Sequence, residues 1–168
     1  MNKSHARTLA LYSLLLATAL VLSYFESLLL PNPLPLPGVK AGLANTVTLF
    51  SLYTLSPLAA LAILLLRILL SSLFGGGITT FLFSVTGGIL SFVAMLLLKK
   101  FKAFSIYGIS ILGAAVHCIG QILAATVLFR SVSIFSYLPI MLIASVFTGA
   151  LIAFVTQLII NRTKLYKK

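Results

Sequence analysis

Long apolar runs alternate along the chain with short breaks of charge, proline or glycine. The runs cover approximately 8–30, 39–55, 57–74, 78–98, 104–129 and 136–160. Between them stand Pro31, Pro33, Pro35, Pro37 and Gly38, then Ser56-Pro57, Gly75-Gly76-Gly77, Lys99 to Lys102, and Arg130. A helix that crosses a bilayer needs about 20 mostly apolar residues at about 1.5 Å rise each. The pattern therefore predicts an all-α integral membrane protein, a six-transmembrane-helix bundle forming a single domain over residues 1–168. Only Ser56-Pro57 divides the second run from the third. The residue before a proline is biased away from the helical region, so a tight reversal is expected there, with one long kinked helix as the alternative. The first run is longer than the 7–15 residues usual for a signal peptide, and no small-residue cleavage site follows it, so it reads as an anchor.

Composition agrees with a lipid environment: 61% of the residues are hydrophobic, 8% are charged, and the mean hydropathy is +1.20. The 12 Lys and Arg residues face a single acid, Glu26. Flanking basic residues stay on the cytoplasmic side of a membrane. Lys3 and Arg7 precede the first run, Lys99, Lys100 and Lys102 follow the fourth, and Arg162, Lys164, Lys167 and Lys168 follow the sixth. These groups share one side only if four crossings separate the first two and two separate the last two, which six helices satisfy. The N- and C-termini are thus expected in the cytoplasm. Tyr12, Tyr53, Tyr107 and Tyr166 then fall near inner ends and Tyr24 and Tyr137 near outer ends, as interfacial tyrosines should. The net charge of +11 is a topology signal, and nucleic acid is not an expected partner.

The same scarcity of acids excludes chemistry. With no aspartate and one glutamate, no carboxylate cluster can hold a metal, so no catalytic residue, metal or cofactor is expected. Cys118 is alone, which removes an intrachain disulfide and a cysteine zinc cage. No Gly-x-x-x-x-Gly-Lys-Ser/Thr segment is present to cradle ATP. The chain is not expected to be an enzyme by itself.

Polar groups at membrane depth are costly, and so they are candidates for function. Arg67 falls slightly beyond the middle of the third run. Lys40 and Asn45 lie in Pro37-Gly38-Val39-Lys40-Ala41-Gly42-Leu43-Ala44-Asn45, where the free amides of a helix start favour an anion. His117 and Gln121, four apart, share one face of the fifth run, and Arg130 stands at its outer end. Lys40, Asn45, Arg67, His117, Gln121 and Arg130 together suggest a cup open to the exterior that suits a small anionic solute. Each also has a plainer reading. Arg67 can pair with Glu26, Lys40 and Arg130 can anchor helix ends, and His117 with Gln121 can join helices within the bundle. Small residues recur at Ala6 and Ala10, at Ser13 and Ala17, and at Ser145, Gly149 and Ala153, a spacing that permits close helix contact, inside the bundle or with a partner. The proline-rich first outer loop and the pliable Gly75 to Gly77 loop are either connectors or covers for a ligand.

The segments PGVKAGLANTVTLFSLY (37–53), LLLRILLSSLFGGG (64–77), FLFSVTGGILSFVAMLLLKK (81–100) and GAAVHCIGQILAA (113–125) resemble the bacterial membrane family labelled both Gx transporter and heptaprenyl diphosphate synthase component I. That family is in turn similar to the substrate-binding S components of energy-coupling factor (ECF) transporters. The resemblance implies the six-helix S-component fold in a bacterial cell membrane, outer loops that gate a ligand, and capture of a small molecule from outside. It implies partners that supply the energy, namely a coupling subunit and ATPases. It also implies an Ala-x-x-x-Ala stripe on the first helix that meets the coupling subunit; Ala6 and Ala10 fit it, and Ser13 with Ala17 compete for the role. The alternative is a non-catalytic membrane accessory that binds a polyprenyl diphosphate beside a soluble prenyl synthase subunit. Chain-elongating prenyl synthases resemble one another in two aspartate-rich motifs, which this chain does not have.

Overall fold

The computed structural model describes residues 3–29 and 42–163. The helices in chain order are α1 (Lys3–Leu29), α2 (Asn45–Thr54), α3 (Pro57–Ser71), α4 (Gly77–Lys100), α5 (Ile106–Phe129) and α6 (Leu138–Thr163). A π-turn, Ser72–Gly76, joins α3 to α4, and a 3-10 segment, Val132–Tyr137, leads into α6. Among the described residues there is no strand.

The boundaries follow from local chemistry. Ser56 caps α3 by accepting from the Ala59 amide at 3.2 Å, and Pro57, lacking an N–H, takes the first helical position. This is the tight reversal expected between the second and third runs. Ser105 caps α5 in the same way through Gly108. Arg130 ends α5 in the left-handed conformation, φ 49°.

Two expectations need correction. The second run was expected to form a helix over 39–55, but helix starts only at Asn45, after a tight turn in which Gly42, Leu43 and Ala44 carbonyls accept from the next amides three residues on. Its ten residues are about 15 Å long, half the thickness of a hydrocarbon core. Five segments, not six, are long and apolar enough to cross a membrane among the described residues: His5–Leu28, Pro57–Phe74, Gly77–Lys100, Ile106–Phe129 and Val132–Thr163. The Gly75 to Gly77 break is no loop. The π-turn extends α3 directly, and Gly77, at φ 66°, swings the chain into α4. The prolines at 31, 33, 35 and 37 and Lys40 lie outside the described residues.

Lipid offers apolar side chains nothing that a neighbouring helix does not, so association in a bilayer depends on close backbone approach and on polar bonds between helices. Both operate around α5, which packs between α4 and α6. A Cβ on Gly120 would lie 2.7 Å from the Cα of Gly87 in α4, and one on Gly149 would lie 2.7 Å from the Cα of Ile111 in α5. Ser91 donates to the Gly113 carbonyl at 2.8 Å, and Ser110 donates to the Gly149 carbonyl at 2.7 Å. The Ser145, Gly149 and Ala153 repeat is accordingly internal packing against α5.

Against this trio lies a second group built from α2 and α3. Leu49 and Leu52 of α2 and Ala60, Leu64 and Ile68 of α3 meet Phe92 and Met95 of α4, Ile109 of α5 and Ile152 of α6 in one buried cluster. α1 stands at the edge. Its Tyr12, Leu15, Ala19 and Leu22 cover Val47 and Ile63, while Ala10, Ser13 and Ala17 are exposed and Ala6 is half-buried. Arg67 reaching Ser23, and Ile63 clustering with Ala19, make α1 and α3 parallel.

Replacing Gly149 by Leu should force α5 and α6 apart at a backbone contact that cannot yield, costing about 1–3 kcal/mol. Denaturant titration of the detergent-solubilised protein reads this, with Ile143→Leu, on the exposed face of α6, expected to leave the midpoint unchanged.

Candidate functional site

α4 and α5 each have 24 residues, and Gly87 and His117 sit at their middles. The start of α2 is at the same level, because a Cβ on Gly42 would lie 3.7 Å from His117 Cδ2. Its other end is at the Lys99 end of α4, where Lys99 Nζ donates to the Leu52 carbonyl at 2.6 Å and lies 4.8 Å above the Tyr53 ring. α2 thus fills half the height of the bundle and opens at mid-depth.

A helix start in such a place exposes amides to a medium that cannot solvate them. Glu26 of α1 answers this. Its carboxylate accepts from the Gly42 amide through Oε1 and from the Leu43 amide, 3.1 Å away, through Oε2. The anion that the amides call for is therefore supplied by the chain's only acid. Glu26 also acts on Arg67 as the opposite charge. The guanidinium donates to Ser23 Oγ at 3.4 Å and to Asn45 Oδ1 at 3.5 Å, both long bonds.

His117 and Gln121 approach from α5. Gly87 makes room for both, since a Cβ there would lie 3.0 Å from His117 Nδ1 and 3.1 Å from Gln121 Cγ. Arg67 is near enough for its charge to act on His117. Glu26, Asn45, Arg67, His117 and Gln121 are 3%, 6%, 6%, 4% and 0% exposed, so the cluster is closed to solvent. Yet Arg67 Nε, His117 Nδ1 and both amide atoms of Gln121 have no hydrogen-bond partner among the described residues. Unpaired buried polar atoms cost about 1–3 kcal/mol each, and a ligand or water that pairs with them recovers that energy.

Of the residues singled out from the sequence, the fold brings Asn45, Arg67, His117 and Gln121 into one region. It leaves Arg130 apart, exposed at the end of α5 and 13 residues, about 20 Å, beyond His117. Lys40 lies outside the described residues. Among the described residues no group of three or more His, Cys, Asp or Glu side chains could hold a metal ion. Ser23 and Lys99 were missed as parts of this framework. Ser23 and Glu26, three apart on α1, share a face, which is the signal that could have paired them with a buried partner. Lys99 carried no such signal, because a cation at the end of a membrane helix reads as a topology marker.

A family model described as heptaprenyl diphosphate synthase component I matches residues 15–159. The chain belongs to this family. No curated protein and no solved structure matches it. In this component I chain the matched residues take in Ser23, Glu26, Asn45, Arg67, Lys99, His117 and Gln121, so the whole buried cluster lies within the family's domain.

Removing one of two opposite buried charges leaves the other without its counter-charge. Arg67→Met should destabilise the protein by about 3–5 kcal/mol, and Glu26→Gln added to it should restore part of that loss. Unfolding midpoints of the two single variants and the double variant measure the coupling.

Proposed function

We propose that this protein captures a small anionic solute from outside the cell, in the manner of an ECF S component, and relies on a partner ATPase module to move it inward. The observation that carries the reading is the set of unpaired polar atoms on Arg67, His117 and Gln121 at the middle of the bundle. Arg67 has donor capacity left for an acceptor or an anionic group, while the Gln121 amide offers one donor and one acceptor for directional contact. Such groups buried at mid-depth suit a solute enclosed by the bundle better than a lipid headgroup held at the surface.

The proposed orientation places the Lys99 end of the bundle, and both termini, in the cytoplasm. Lys99, Lys100 and Lys102 supply the basic flank there. α1, parallel to α3, starts at that end, and α6 runs back to it. The short α2 then stands in for the sixth helix of the S-component pattern, starting at half height and running to the inner end. The exposed face of α1 with Ala10, Ser13 and Ala17, and with Ala6 at its margin, is where a coupling subunit would dock. On this reading the chain is not an enzyme, since the hydrolysis that powers movement belongs to the partner.

The family's name supports a second reading, a non-catalytic membrane accessory that holds a polyprenyl diphosphate for a soluble prenyl synthase subunit. Arg130, exposed at a helix end, is the cation placed for a diphosphate at the membrane surface. Arg67 is too deep for it.

The protein purified in mild detergent should release a water-soluble molecule on denaturation, detectable by mass spectrometry. Gln121→Leu should weaken retention about two- to tenfold without loss of folding, because one hydrogen-bonded contact is worth about that much. Co-purification of an ATPase pair supports capture. Stimulation of a soluble prenyl synthase by the added protein, with no solute retained, favours the accessory role instead.

A further inference from the structure

The Glu26 contact deserves a function of its own, because it places a carboxylate among groups that would otherwise bind one from outside. We propose that the Gly42 and Leu43 amides together with Arg67 form a carboxylate-binding site, which Glu26 fills in this state and which a carboxylate of the captured solute takes over. The inference rests on the capture reading and names the chemical class of that solute.

The site is built from three elements. Gly42 and Leu43 precede α2 and point two amides at one carboxylate, one to each oxygen. The positive end of the helix dipole lies behind them. Arg67 comes from α3, is 6% exposed, and keeps its Nε without a partner among the described residues. His117 Nδ1, equally unpartnered, is on the α5 side of the same region. This is a planar cation beside a pair of amides, the arrangement that recognises a carboxylate by charge and by direction.

Occupancy is exclusive on electrostatic grounds. Among the described residues Arg67 is the one buried cation, and a second carboxylate within a few ångström of Glu26 at mid-depth would be repelled in a medium of low dielectric. A solute carboxylate therefore displaces Glu26 rather than joining it. Glu26 belongs to the least enclosed of the long helices. It lies in the last turn of α1, one turn beyond Leu22 and Ser23, and α1 stands at the edge, with Tyr24, Phe25 and Leu28 exposed. The exchange then loosens the outer end of α1 from α2 while the contacts of Tyr12, Leu15 and Ala19 persist.

Formate, the smallest carboxylate, is the probe, with chloride at equal ionic strength as the control. The full-length protein in detergent is titrated with each salt and its melting temperature followed. Glu26→Ala should be stabilised by formate in a saturable manner, and Glu26→Gln should show the same to a lesser degree. The wild type should require at least about tenfold more formate for half its effect, because its own carboxylate competes. Adding Arg67→Gln to Glu26→Ala should abolish the saturable component. Should Glu26→Ala not fold, the comparison of Glu26→Gln with wild type carries the test. Formate effects no different from those of chloride in the variants, or a half-effect concentration equal in wild type and variant, overturn the proposal. Wild type that retains a solute lacking any carboxylate overturns it too, and leaves capture standing. Formate binding by the variants with no solute ever retained by wild type supports the site while removing the transport reading.

Discussion

A helix that starts in the middle of a membrane protein must have its first amides satisfied by the protein itself. This requirement shapes the region around α2. Its first amides meet the carbonyls of the turn before it, the Gly42 and Leu43 amides of that turn meet Glu26 from α1, and its trailing carbonyl at Leu52 meets Lys99 from α4. An anion at the positive end of the helix dipole and a cation at the negative end both favour the helix, and in a low-dielectric interior each acts more strongly than it would in water. The chain's one acid is used for this purpose. Its position ties the edge helix α1 to the half-height helix α2, and its charge acts on Arg67 of α3.

Around that tie the rest of the bundle is rigid by different means. Glycines at 87, 120 and 149 bring α4, α5 and α6 to backbone contact, and serines at 91 and 110 bond across the gaps. Such close packing leaves little freedom in the trio, so His117 and Gln121 are presented from a fixed wall. α1 and α2 face that wall through a few polar contacts near Glu26 and through a smaller apolar cluster around Ala19, Val47 and Ile63. The division is between a closely packed side and a less tightly held one.

The family assignment and the geometry bear on different questions. Membership in the component I family, over residues 15–159, identifies the relatives of the chain. The geometry adds a cluster of buried polar groups at mid-depth. Arg67, a charged residue so far from either end of the bundle, is held there by Ser23 and Asn45, with the opposite charge of Glu26 acting on it. Within it, both amide atoms of Gln121 have no hydrogen-bond partner among the described residues.

Much of the architecture was legible in the order of residues. Apolar runs bounded by proline, glycine and charge locate the long helices, since crossing a bilayer demands internal hydrogen bonding over a minimum length and any breaker must lie at an end. Ser56-Pro57 marks a reversal because a serine cap and a proline at the first helical position are local chemistry. Deep Arg67, Asn45, His117 and Gln121 stood out because hydrocarbon penalises them wherever they fall. What only the tertiary structure decided is which of them meet. Hydropathy is blind to the level at which a helix starts, so the short α2 was read as a full span. Nor does a pattern of charges tell that Arg130 stands apart, that Glu26 covers two amides 16 and 17 residues away, or that Lys99 closes a helix 47 residues distant. Those pairings arise from how the helices stack, and a one-dimensional pattern carries no information about which faces will touch.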